Sequence, residues 1–125
     1  MDLICGELME RVIGLAIKLH RRLGPGLLES VYEECLCFEL EQAGIADRRQ
    51  VPVPVVYERV TLEAGCRADI VVKQELILEI KAIERLLPVH EAQLLTYLKM
   101  GGYRVGPLLN FNAARLKDGL RRFVM

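Results

Sequence analysis

Leu8, Val12, Leu15, Leu19 and Leu23 recur at steps of three and four, the spacing of one buried stripe. They predict a helix over residues 3–22. Gly24-Pro25-Gly26 ends it, because neither residue type extends a helix well. A second helix is expected over 27–43, with Leu28, Val31, Tyr32, Cys35, Leu36 and Ala43 inward and Gly44 as its stop. The pattern then turns from helical to alternating. Val51 to Tyr57 is β-prone, but Pro52 and Pro54 remove ladder donors and point to an edge strand or an irregular lead-in. Strand-like runs follow at 55–62, 67–73 and 76–83, with turns at Glu63-Ala64-Gly65 and Lys73-Gln74-Glu75. Pro88 opens a helix over 88–100, apolar at Leu94, Leu95 and Leu98, and Gly101-Gly102 closes it. Another strand lies within 103–111, and Asn112 caps a short last helix over 113–122. The predicted order is α-α-β-β-β-α-β-α, a mixed α/β sandwich. Its crossover 88–100 should set the following strand parallel to a neighbour, with a right-handed connection.

One apolar run breaks its own pattern. Leu76-Ile77-Leu78-Glu79-Ile80-Lys81-Ala82-Ile83 carries an acid and a base among aliphatic residues. Strand alternation puts Ile77, Glu79, Lys81 and Ile83 on one face. An unpaired charge near a core costs several kcal/mol, so the pair needs a reason. If the preceding turn centres on Gln74, Asp69 faces Glu79 and Arg67 faces Lys81, with Cβ atoms about 5 Å apart. Two carboxylates about 4 Å apart repel by roughly 4 kcal/mol at an effective dielectric of 20. A proton, a lysine or a cation must offset that. Mg²⁺ and Mn²⁺ prefer hard oxygen ligands, commonly one or two carboxylates with waters. Lys81 stands ready to hold a water or stabilise charge on a phosphate. An Asp followed on the next strand by Glu-x-Lys is the pattern of a metal-dependent nuclease site. Two helices add candidates. Glu29 opens the second helix, with Tyr32 and Glu33 one turn on. Gln93 and Tyr97, an i, i+4 pair, bring a carboxamide that can orient water and a phenol that can contact phosphate.

Composition narrows the field. At 125 residues the chain is expected to form one domain. Seventeen basic and seventeen acidic residues cancel, so there is no long-range pull towards nucleic acid or anionic membrane. Nucleic-acid binding must come from local patches or bound metal. The four cysteines form no disulfide framework: Cys35 and Cys37 diverge around a helix, and Cys5 and Cys66 stand alone. Reduced thiols in a cytoplasmic protein are the expectation. The start Met1-Asp2, with Glu7, Glu10 and Arg11 inside its apolar stretch, reads as neither signal peptide nor membrane span.

Gly26-x-x-Glu29-x-x-Tyr32 after Leu23-Gly24-Pro25 resembles the signature of the GxxExxY protein family, placed in the PD-(D/E)xK nuclease-like superfamily. Arg67-Ala68-Asp69, Glu79-Ile80-Lys81, the run from His90 to Tyr97, Leu109-Asn110-Phe111-Asn112 and Leu116-Lys117-Asp118-Gly119 resemble its further blocks, from about residue 7 to 123. The resemblance implies a restriction-endonuclease-like core, a central mixed sheet flanked by helices. It implies Mg²⁺ or Mn²⁺ on Glu29, Asp69 and Glu79, with the Ile80 carbonyl as a further ligand. It makes Lys81 the residue acting on the attacking water and Gln93 a support. His20 stands where the family carries a histidine, beside the site or touching phosphate. Ala68 replaces the proline of the superfamily name, at a position that coordinates nothing. The implied activity is hydrolysis of nucleic-acid phosphodiester bonds, with DNA ahead of RNA. The small size favours a homodimer or a protein partner.

Each residue also admits a plainer reading. Glu79 and Lys81 fit an ion pair on a wet sheet face, and Glu29 suits any helix N-terminus. Tyr32 fits the core, as does a hydrogen-bonded His20. Arg21-Arg22, Arg48-Arg49 and Arg121-Arg122 fit solvated charge as well as phosphate contacts. The rival function is a catalytically inactive nuclease-fold module that binds protein or nucleic acid. Metal-dependent phosphoester chemistry on a small nucleotide is a third.

Overall fold

The computed structural model describes residues 3–125. Met1, Asp2 and the side chains of Leu3, Ile4, Cys5 and Ala64 lie outside the described residues. Helix α1 (Leu3–Leu23) and helix α2 (Glu29–Gln42) precede three strands, β1 (Asp47–Tyr57), β2 (Val60–Val72) and β3 (Leu76–Lys81). Helix α3 (Pro88–Gly101) crosses to β4 (Val105–Asn110), and a 3₁₀ turn (Leu116–Gly119) leads into β5 (Leu120–Val124). The five strands form one mixed sheet in the order β1-β2-β3-β4-β5. The β3–β4 pair is parallel, as the helical crossover requires, and the other pairs are antiparallel.

Two apolar clusters sandwich the sheet. On one side Leu8, Val12 and Ala16 of α1 and Tyr32, Leu36 and Leu40 of α2 pack on Ile70, Leu78 and Ile80. On the other, Leu94 and Leu98 of α3 pack on Val53, Ala68, Ile77 and Leu108. The buried stripe of α2 is rotated from the expected one. It runs through Tyr32, Glu33, Leu36, Cys37 and Leu40, while Leu28 is 74% exposed.

Three expected elements are corrected. The run 55–62 is not one strand but the tip of the β1–β2 hairpin, which reverses at Glu58-Arg59, with Glu58 at φ 55°. The expected turn at 63–65 is part of β2, where the register shifts between Val53 and Val55. Gly65 allows that close crossing: a Cβ on it would lie 2.3 Å from Val55 Cγ2. The expected last helix over 113–122 is the 3₁₀ turn followed by β5, whose Leu120 pairs with Leu109. The four-residue step from Leu116 to Leu120 suits a helix, but β4 offers an unpaired edge that β5 satisfies.

Candidate active site

The β2–β3 turn centres on Gln74, with Val72, Val71 and Ile70 opposite Leu76, Ile77 and Leu78. The ladder then stops at Asp69 and Glu79, and side chains take over its hydrogen bonds. The Asp69 N–H donates to Glu79 Oε1 at 3.1 Å. The Ile80 N–H donates to Asp69 Oδ2 at 2.8 Å, and the Ala82 N–H donates to Glu29 Oε2 at 3.1 Å. Continued pairing would have spent the Ile80 and Ala82 donors on β2. Here two carboxylates take them, and hydrogen bonds to charged groups are worth roughly 1.5–3 kcal/mol each. The strands thus separate around three acids from three different elements.

The same row switches faces. Ala68 packs with the α3 cluster and Ile70 with the α1/α2 cluster, although strict alternation would put both on one side. Gln50, the residue of β1 beside this row, sits at φ 50° and interrupts the β1–β2 ladder between Arg49 and Val51. Asp69 consequently lines a cleft of about 220 Å³ on the α2 side with Glu29, Ser30, Glu33, Gln50 and Ile80. Glu79 and Lys81 keep the regular alternation of β3 and belong to the α3 side, with Ile77.

Burial sets the electrostatics. Glu79 is 4% exposed. Its carboxyl is pushed up from 4.5 to about 8, first by burial and then by the neighbouring Asp69 charge. The Asp69 N–H and Lys81 oppose that rise. Asp69 is raised as well, chiefly by burial, with the Ile80 N–H working against it. Tyr97 on α3 is raised by burial and then by Glu79, so its phenol keeps its proton near this acid.

Two participants escape the sequence patterns. Glu33 is 7% exposed and accepts from Arg49 Nη2 at 2.8 Å and from Gln50 Nε2 at 2.7 Å. Gln50 Nε2 also reaches Asp69 Oδ1 at 3.5 Å. Glu33 was legible only as a residue one turn after Glu29. A polar Gln50 before Val51 carries no signal at all, because its place depends on a positive φ.

The remaining candidates fall elsewhere. Gln93 lines a separate groove of about 370 Å³ with Tyr97, Cys66, Val55, Val89 and Thr96. His20 is buried; its Nε2 donates to the Ala113 carbonyl at 2.9 Å and its ring lies 6.1 Å from Phe111. Tyr32 stacks on Phe111 at 4.5 Å. Its hydroxyl donates to the Gly24 carbonyl at 2.6 Å and accepts the Leu27 N–H at 3.2 Å. Those bonds fasten the loop from which Glu29 enters α2, a physical reason for Gly, Glu and Tyr at this spacing. Asn110 is buried and clamps the exit of β3, accepting the Ile83 N–H at 3.1 Å and donating to the Ile83 carbonyl at 3.0 Å. Among the basic pairs, Arg49 is engaged by Glu33 and Glu34, and Arg122 by Glu10.

The donor chemistry fits a hard divalent cation: carboxylate oxygens on exposed Glu29, half-buried Asp69 and buried Glu79, with the charged forms of Asp69 and Glu79 disfavoured by their surroundings. Among the described residues, no three His, Cys, Asp or Glu side chains stand gathered as a finished metal cage.

An αβ sandwich whose strands part around an Asp and a Glu-x-Lys defines a nuclease-type scaffold. The model of the PD-(D/E)XK nuclease superfamily matches residues 6–123, and the chain belongs to that superfamily. Neither the curated proteins nor the solved structures contain a match to it. No helix among the described residues is long and apolar enough to cross a membrane.

Proposed function

We propose that this protein is a Mg²⁺- or Mn²⁺-dependent nuclease of the GxxExxY type, hydrolysing phosphodiester bonds in nucleic acid, with DNA the favoured substrate. The observation that carries this reading is the row where the β2–β3 ladder yields to carboxylates, with half-buried Asp69 beside buried Glu79 and Lys81 two residues on. Glu29, Asp69 and Glu79 are the residues that would hold the cation. When bound, such an ion lowers the pKa of water and offsets phosphate charge. Lys81 already favours the ionised forms of both acids, and the same ammonium stabilises negative charge developing on a phosphate. Tyr97 retains its proton and serves as a hydrogen-bond donor to phosphate oxygen. Gln93, at the outer groove, orients water or substrate. The free thiols of Cys35, Cys37 and Cys66 support a cytoplasmic setting.

The test is Mn²⁺-supplemented cleavage of single- and double-stranded DNA and RNA. Asp69→Asn and Lys81→Met should each lower the rate by about a hundredfold or more. Activity equal to wild type in both variants would sink the proposal. One observation favours an inert binding module instead: all three carboxylates already hold backbone donors. Calorimetry with Mn²⁺ separates the two, since the module requires no heat of binding that Asp69→Asn removes.

A further inference from the structure

The β1–β2 hairpin runs well past the rest of the sheet. β2 begins at Val60, yet β3 pairs with it only from Ile70 onwards. Among the described residues, no strand covers the β3-facing edge of β2 between Val60 and Glu63. The two-residue connection Glu58-Arg59, with positive φ at its first position, makes Tyr57 and Val60 the hydrogen-bonded closing pair. By alternation, Val60 and Leu62 direct their backbone groups at β1, while Thr61 and Glu63 turn theirs to the open edge. Cross-strand neighbours share a face, so Val55, Tyr57, Val60 and Leu62 form one apolar face. Tyr57, Val60 and Leu62 are 73%, 53% and 56% exposed.

The opposite edge of this arm is guarded. Pro52 and Pro54 on β1 remove donors, a common protection of edge strands. No proline interrupts Val60 to Glu63. The sequence of this open edge also complements itself. Set antiparallel against a copy of itself about Thr61, it places Arg59 opposite the partner's Glu63, Val60 opposite the partner's Leu62, and Thr61 opposite the partner's Thr61. That register satisfies the outward Thr61 donor and acceptor. A register centred on Glu63 would set like charges against each other, Glu63 on the partner's Glu63 and Arg59 on the partner's Arg67. A register centred on Gly65 falls on the bulge where that glycine packs against Val55.

We propose that two copies of this chain associate through these arms, β2 of one pairing antiparallel with β2 of the other about a two-fold axis at Thr61. The occupant of the edge is a second copy because its charge order, Arg59 then Glu63, is what the same edge requires of its partner. A contact this short buries less than the roughly 1,200 Å² of a stable interface, so the dimer forms in a concentration-dependent way.

Sedimentation analysis from about 10 µM to about 1 mM tests this. The wild-type mass should rise from 14.2 kDa towards twice that value across the range. Arg59→Glu sets acid against acid at both symmetric positions and should weaken association about tenfold. Adding Glu63→Arg should restore it. Four residues of extended chain, roughly 13 Å, separate Arg59 in the connection from Glu63 in β2, so the rescue reports the intermolecular register. Thr61→Pro, with folding verified by circular dichroism, should abolish association by removing the outward donor. A wild type monomeric throughout overturns the proposal. So does a double variant as weak as Arg59→Glu, or a folded Thr61→Pro that associates like wild type. No nuclease activity enters the measurement, so its outcome stands apart from the function proposed above.

Discussion

Replacing Glu79 with glutamine should make the cation-free protein more stable at alkaline pH and leave it nearly unchanged in mild acid. Folding raises the Glu79 carboxyl from 4.5 to about 8. Between those values the folded state holds a proton that the unfolded state has released. Stability therefore falls as pH rises through this window, and the loss is complete above about pH 8. At about 1.4 kcal/mol per pH unit, the ceiling is about 5 kcal/mol. Asp69 is raised too and shares the proton economy of the pair, so the measured effect belongs to both acids. Relaxation around the ionised carboxylate lowers it further, and about 2–3 kcal/mol is expected. The carboxamide oxygen introduced by Glu79→Gln would still accept the Asp69 N–H, so the comparison isolates charge from the lost hydrogen bond. The assay is urea unfolding with EDTA at about pH 5, 7 and 9. The wild type should lose stability across the series, and Glu79→Gln should lose markedly less. Parallel profiles for the two proteins would refute the reasoning, because they would mean that Glu79 carries no unfavourable buried charge.

Two further substitutions test how the site is held. Tyr32→Phe keeps the ring stack on Phe111 but strands the Gly24 carbonyl and the Leu27 N–H, and should cost about 1–3 kcal/mol in denaturant unfolding. Gly106→Ala places a Cβ 2.8 Å from the Ile77 carbonyl oxygen and against Leu94 and Leu98. The β3–β4 pair must give way, lowering the unfolding midpoint by an amount corresponding to about 1–3 kcal/mol.

Much of this arrangement is legible in the sequence because it rests on local rules. The register about Gln74 follows from a short turn and a period of two, and it placed Asp69 opposite Glu79. The parallel β3–β4 pair follows from the helix between them. The hairpin tip is hidden because Glu58-Arg59 lacks the glycine or asparagine that normally marks a reverse turn. β5 is hidden because Leu116 and Leu120 mimic helical spacing, while the edge of β4 that recruits β5 is a distant feature. At the site, the residue types announced Asp69, Glu79 and Lys81. The link from Glu33 through Gln50 depends on one left-handed residue and a rotated α2 face, which no periodicity encodes. His20 reads identically as a core residue or a site residue until the Ala113 carbonyl appears beside it.

The substitution of carboxylates for ladder bonds has a consequence for how such a chain can change over generations. Asp69, Glu79 and Glu29 each hold a backbone donor of the sheet. Selection for folding alone would then resist their loss, even in a lineage that had given up catalysis. Lys81 acts on Asp69 and Glu79 through its charge, and an ammonium cannot accept a backbone N–H of the sheet as the acids do. Among descendants of this sequence, drift at position 81 with the three acids intact would therefore be the earliest mark of a retired enzyme. Retention of the acids by themselves would record only that the sheet still needs them.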